Sequence, residues 1–150
     1  MSLIRKSSAW DQSTIAAFLR STVIPVRLAC SDAAGVPLIC SLWYLYDDEA
    51  IWCATQQSAA LVRLLEGQQQ CGFEIAPEAM PYRGVRGQGT VTLLPDEGEA
   101  VLRRLIARYL DKPDTDFARF LIKRAASEVA IKVQPDWLTS WDFGDRMSSV

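Results

Sequence analysis

The chain has 150 residues, with 16 Lys plus Arg against 18 Asp plus Glu and no histidine. A hydrophobic fraction of 49% with 23% charged residues is the make-up of a packed domain and not of a disordered segment. The missing histidine excludes Ser-His-Asp and Cys-His relays, His-ligated metals and an imidazole proton shuttle, and a net charge of −2 gives no basic excess for nucleic acid.

Asp11 is placed to cap a helix over residues 11–22, in which Ile15, Phe18 and Leu19 keep the i, i+3, i+4 spacing and Pro25 stops the chain. Val26 to Ser31 reads as a strand, Asp32-Ala33-Ala34-Gly35 as a hairpin turn, and Pro37 to Tyr46 as one longer strand. Asp47-Asp48-Glu49 turns the chain into Ala50 to Thr55, which completes an antiparallel meander of three strands. Ser58 is the expected N-cap of a short helix carrying Leu61, Val62, Leu64 and Leu65 and closed by Gly67. Cys71, Phe73 and Ile75 alternate as a fourth strand.

After a loop from Pro77 to Arg83, a fifth strand from about Val85 to Leu94 sets Gly87, Gly89, Val91 and Leu93 on one face. Two glycines inside it predict a bulge, or a place where another body meets the backbone. A helix over 97–110 and another from Asp114, carrying Phe117, Phe120 and Leu121, flank Pro113. The last strand runs from Glu128 to about Gln134 and leads into a tail over 135–150. This order predicts a single α+β domain over 1–150, with its sheet core at 26–134 able to close into a barrel.

Cys30, Cys40, Cys53 and Cys71 sit in apolar runs at gaps too wide for a metal-binding pair. Buried free thiols are expected, which fit a reducing compartment. With no 18-residue apolar run and no signal-like amino terminus, the expectation is a cytoplasmic protein without membrane, nucleic-acid or metal partners.

Several motifs follow one another along the chain. A Leu28-Ala29 strand runs into the Asp32-x-x-Gly35 hairpin, and the next strand centres on Trp43-Tyr44-Leu45. Ala54-Thr55 ends a strand before the Ser58 helix, Pro81 to Gly89 opens another, and Ser140-Trp141-Asp142-Phe143 closes the series. Taken together, from Val26 to Asp145, the order resembles the pyridoxamine 5′-phosphate oxidase-related split β-barrel proteins. The resemblance implies a six-stranded antiparallel split barrel with flanking helices. It also implies a homodimer with FMN at the subunit interface, or a deazaflavin in its place, and an oxidoreductase acting on a small molecule.

Carried over residue by residue, Ser41, Leu42 and Trp43 would lie along the isoalloxazine ring, and Ala54 and Thr55 would approach the ribityl chain and phosphate. Ser58 would mark the phosphate-binding helix start. The family's Ser-Arg-Lys at that start is Ser58-Ala59-Ala60 here, and its arginine near Ile39 and glutamine near Gly84 are also absent. Arg63, one turn further on, and Arg83 and Arg86 are the replacement cations, and Trp141 joins them as a candidate contact.

By residue type alone, Trp43, Tyr44 and Trp52 belong in a sheet core, Ser58 caps a helix and Arg83 and Arg86 face solvent. Trp137 and Trp141 suit a dimer interface. No side chain is assigned as catalytic, which fits chemistry carried by a cofactor. The vitamin-oxidising activity itself is not implied, because the oxidase's histidine-containing carboxy-terminal motif has no counterpart. A non-catalytic flavin or deazaflavin sensor, and a split-barrel dimer that has lost its cofactor, are the alternatives.

Overall fold

A computed structural model describes residues 2–148; residues 149–150 of the expected tail lie outside the described residues. The chain runs β1 (Leu3–Ile4), α1 (Gln12–Ser21), β2 (Val26–Ser31), β3 (Pro37–Leu42), β4 (Leu45–Asp47), β5 (Ala50–Gln56), α2 (Ala60–Gly67) and β6 (Gln70–Ile75). It continues through β7 (Arg83–Leu94), α3 (Gly98–Tyr109), α4 (Asp116–Lys123) and β8 (Glu128–Asp142), with single 3₁₀ turns at Pro95–Glu97 and Ala125–Ser127. Seven strands pair antiparallel in the order β3-β2-β6-β7-β8-β5-β4, and β1 adds in parallel to β8.

The two ends of that order are consecutive in sequence. Only Trp43 and Tyr44 separate β3 from β4, so three Cα steps, at most about 11 Å, join the two sheet edges. The sheet therefore curls until its edges meet, closed by the chain and not by a hydrogen-bond ladder. This is a split β-barrel.

The seam corrects the sequence reading of one strand from Pro37 to Tyr46 and of a three-stranded meander. β3 pairs with β2, β4 pairs with β5, and β5 goes on to β8. What breaks the strand is side-chain demand on its two faces. The Tyr44 ring is fully buried, and its hydroxyl lies 2.8 Å from both the Leu19 and Thr22 carbonyls at the end of α1. Arg108 of α3 donates to the Leu19, Arg20 and Thr22 carbonyls, so the orphan acceptors of that helix end are met. Trp43 turns outward and stacks on Tyr109, with centroids 5.0 Å apart and planes 8° from parallel.

Inside the barrel, Leu28, Ile51, Ile75, Val85, Ile131 and Leu138 are fully buried beneath Ile15 and Leu19 of α1. The expected helix 11–22 is present, with the Asp11 carboxylate accepting from the Thr14 amide at 2.9 Å. Those hydrogen bonds hold Asp11 below the usual carboxylate range. On the outer face, α3 lays Val101 and Leu105 over Leu45 and Ala130, and Leu102 and Ile106 meet Ala118 and Ala125.

β8 is longer than expected. It does not end near Gln134 but passes through Pro135 and runs to Asp142, because a bulge absorbs the irregularity. Gln88 pairs with Trp137 and Gly89 with Pro135, leaving Asp136 as the extra residue. The body that meets the β7 glycines is β8 itself: a Cβ on Gly87 would lie 2.3 Å from the Trp137 carbonyl oxygen. The four thiols are free, with Cys30, Cys53 and Cys71 buried and Cys40 partly so. Burial raises them all, Cys71 to about 12. No helix among the described residues is long and apolar enough to cross a membrane.

Candidate functional site

At the seam, a cavity of about 310 Å³ opens between the outer face of the sheet and the α3–α4 layer. Ser41 and Leu42 of β3, Trp43 of the link, and Ala54, Thr55 and Gln56 of β5 form one side. Leu102, Leu105, Phe117, Leu121, Arg124 and Glu128 form the other. Trp43 is fixed there from two directions, by the Tyr109 stack and by the edge of Phe117 at 6.2 Å and 90°. As a terminal strand, β3 pairs only with β2, so its other edge is free to hydrogen-bond a ligand.

Five of the sequence-derived candidates, Ser41, Leu42, Trp43, Ala54 and Thr55, thus converge on one cavity. Ser58 lies just beyond it and is not the N-cap. Helix α2 starts from Ala59, which makes no side-chain cap. The chain enters the helix with the Ala59 amide on the Gln56 carbonyl, which moves the cap position one residue on. Arg63 reaches back to the helix start, donating to the Ser58 carbonyl at 3.1 Å. In the same way, the fourth helix begins at Asp116 under a Thr115 cap, not at Asp114.

Arg83, Arg86 and Trp141 lie apart from the cavity, at the β7–β8 end of the sheet. Arg86 sits over the Trp141 ring at 5.1 Å and borders a second hollow of about 440 Å³ with Arg27, Ala29, Ile39, Gly72, Glu74 and Trp137. Arg83 borders a third, beside Trp10 and Asp142.

Sequence reasoning missed Gln56, Arg124 and Glu128. Their positions follow from the turn at Ala125–Ser127, which returns the chain from α4 to the sheet. Gln56 donates to the Arg124 carbonyl at 3.1 Å and accepts from the Ser127 hydroxyl at 2.7 Å. Glu128 is the cross-strand partner of Gln56, and it shares a β8 face with Ala130, which packs under α3. Only 6% of Glu128 is exposed, and its Oε2 has no hydrogen-bond partner. Burial outweighs the Gln56 hydrogen bond and the Arg124 charge, and it raises the carboxyl above its usual range. An acid at the head of a run as small and apolar as Val129-Ala130-Ile131 was the available signal.

A closed antiparallel sheet split at one seam, with its cavity on that seam, defines the split-barrel class. The family model described as pyridoxamine 5′-phosphate oxidase matches residues 11–137, and the chain belongs to that family. A conserved hypothetical protein from Mycobacterium tuberculosis superposes with a TM-score of 0.75 at 24% identity, covering 94% of this chain and 90% of that one. An F420 reductase gives 0.66 at 22% identity, covering 81% and 93%. A FAD-binding protein from Mesorhizobium loti gives 0.65 at 15% identity, covering 87% and 94%. No curated protein matches the sequence.

Proposed function

We propose that the protein is a flavin- or deazaflavin-binding oxidoreductase that holds the cofactor in the seam cavity. The observation that carries this reading is the convergence of Ser41, Leu42, Trp43, Ala54 and Thr55 on that one cavity. Its volume falls at the lower end of small-molecule sites. Its apolar walls and one aromatic plate suit a conjugated ring, and the unpaired edge of β3 offers backbone groups to it.

The residues fit the remainder of the cofactor as follows. Helix α2 begins without a side-chain cap, so its first amides are available to an anion. The Arg63 guanidinium sits at that start, and Arg124 borders the cavity. These two cations stand in for the pair replaced by Ala59 and Ala60. A bound flavin supplies hydride transfer. The chain's part is to orient the ring against Trp43 and to exclude water with Phe117 and Leu121.

The active unit is a homodimer, in which Arg83, Arg86 and Trp141 of a second copy complete the site that this copy leaves open. The F420 reductase among the structural relatives and the two alanines at 59 and 60 favour a deazaflavin as the second cofactor reading. An absorption spectrum of purified protein, followed by titration with FMN and with a deazaflavin, tests the proposal. Yellow protein, or saturable binding of either, is expected, with a two-subunit mass by light scattering. Colourless protein that binds neither overturns it.

A further inference from the structure

We infer that Glu128 accepts a hydrogen bond from a hydroxyl-bearing arm of the ligand in the seam cavity, so that the site selects ring compounds with a polyol chain over the bare ring. The inference rests on the flavin-type reading above and specifies which part of the ligand this residue recognises.

Three observations support it. Glu128 is 94% buried by its 6% exposure, borders the cavity, and leaves Oε2 without a partner. A buried acceptor without a donor costs free energy in the empty protein, and a ligand donor would recover that cost. Second, the neighbouring polar groups do not supply the missing donor. The Gln56 hydrogen bond to the carboxyl leaves Oε2 unmet, and the Arg124 guanidinium lies over the Phe120 ring at 5.2 Å.

Third, the cavity is two-part. Trp43, Leu102, Leu105, Phe117 and Leu121 make an apolar portion, whereas Thr55, Gln56 and Glu128 lie together where β5 meets the start of β8. A ligand matching both has a conjugated ring and a donor-rich arm. An anionic group beside Glu128 would meet like charge, which directs a phosphate toward Arg63 and away from the acid.

Riboflavin and lumiflavin separate ring from arm, since the first carries the ribityl chain and the second a methyl group. Wild type, Glu128→Gln and Glu128→Leu are titrated with riboflavin, lumiflavin and FMN by flavin fluorescence, and each free protein is melted. Wild type is expected to prefer riboflavin. Glu128→Leu loses roughly tenfold or more in riboflavin affinity, keeps its lumiflavin affinity, and melts at higher temperature than wild type because the unpartnered carboxylate is gone. Glu128→Gln, nearly isosteric, gives a smaller loss and serves should the leucine variant fail to fold.

Equal affinity of wild type for riboflavin and lumiflavin overturns the inference, as does an equal loss of both in the variants. Neither result touches the flavin reading. Failure of wild type to bind any of the three overturns the inference, and failure to bind a deazaflavin as well overturns both.

Discussion

Two hollows open on the outer surface of the same sheet, and the larger one has the less chemistry. The 440 Å³ hollow spans β2, β6 and β7, where Arg27 pairs across from Glu74 and Glu74 from Arg86. Acid and base alternate along that row, and Trp137 is already engaged, donating to Gln88 at 3.1 Å beneath the Arg5 guanidinium at 3.7 Å. The seam cavity is smaller, yet it contains a buried acid with a free oxygen and an aromatic plate held from two sides. No buried side-chain polar atom described in the larger hollow lacks a partner. A surface that leaves an acceptor unpaired is one that a ligand completes.

The largest expected effect contrasts two glycines, Gly98 at the start of α3 and Gly72 in the larger hollow. Behind the seam cavity, a Cβ on Gly98 would lie 2.0 Å from the Glu128 carbonyl oxygen, a backbone atom with nowhere to go. Gly98→Ala is expected to cost about 3 kcal/mol in urea unfolding and to disturb the cavity. In the other hollow, a Cβ on Gly72 meets nothing closer than 3.8 Å, and Gly72→Ala should stay within about 0.5 kcal/mol of wild type. Equal costs would mean that the Glu128 carbonyl yields to a methyl group as readily as the open surface at Gly72 does.

Next in size is filling the cavity. Ala54→Phe should lower flavin affinity by about tenfold or more, read by fluorescence titration, with the fold kept by circular dichroism. Undiminished binding would move the ligand out of the seam.

A smaller effect divides the cations. Arg63→Ala and Arg124→Ala should each weaken FMN by about threefold to tenfold, the range of an exposed charge-assisted contact, and leave riboflavin unchanged. Weakening FMN through Arg86→Ala alone would assign the phosphate to the β7–β8 end.

The smallest is a pH effect. The Glu128 carboxyl titrates above the ordinary glutamate value in the folded protein, chiefly through burial. Its contribution is therefore fully present below that value and is lost as pH rises through the folded pKa. The stability of Glu128→Gln relative to wild type should increase over that interval and level off above it. A gap independent of pH would mean that the acid is solvated.

The sequence carried the regular elements well where one face is buried and the other wet. Val26, Leu28 and Cys30 mark β2, and Cys71, Phe73 and Ile75 mark β6, because the period of two survives in each. It did not reveal the seam, since Leu42-Trp43-Tyr44-Leu45 is apolar throughout and nothing local distinguishes an outward Trp43 from an inward Tyr44. Only the acceptors at the end of α1 and the ring of Tyr109 decide that. Pro135 suggested an end to β8, whereas the bulge at Asp136 lets the strand continue.

For the site, five cavity-lining positions were legible through the family's motif order. Glu128 was read only as the first residue of a strand. Its meaning depends on α3 and α4 lying over it, a long-range fact that no window of sequence contains.

The two-residue link at Trp43 and Tyr44 has a consequence for how such a protein can change. A ladder-closed barrel resists any adjustment of its circumference, because each strand is held to both neighbours. Here part of the outer wall of the cavity, Phe117 and Leu121, belongs to a separate helix, residues 116–123, tethered by short turns and not woven into the sheet. Substitutions at Phe117, Leu121 or Arg124 can therefore reshape what the site admits while the strands keep their register. Part of the cavity wall can thus vary without disturbing the strand pairing, while Glu128 stays fixed in the sheet.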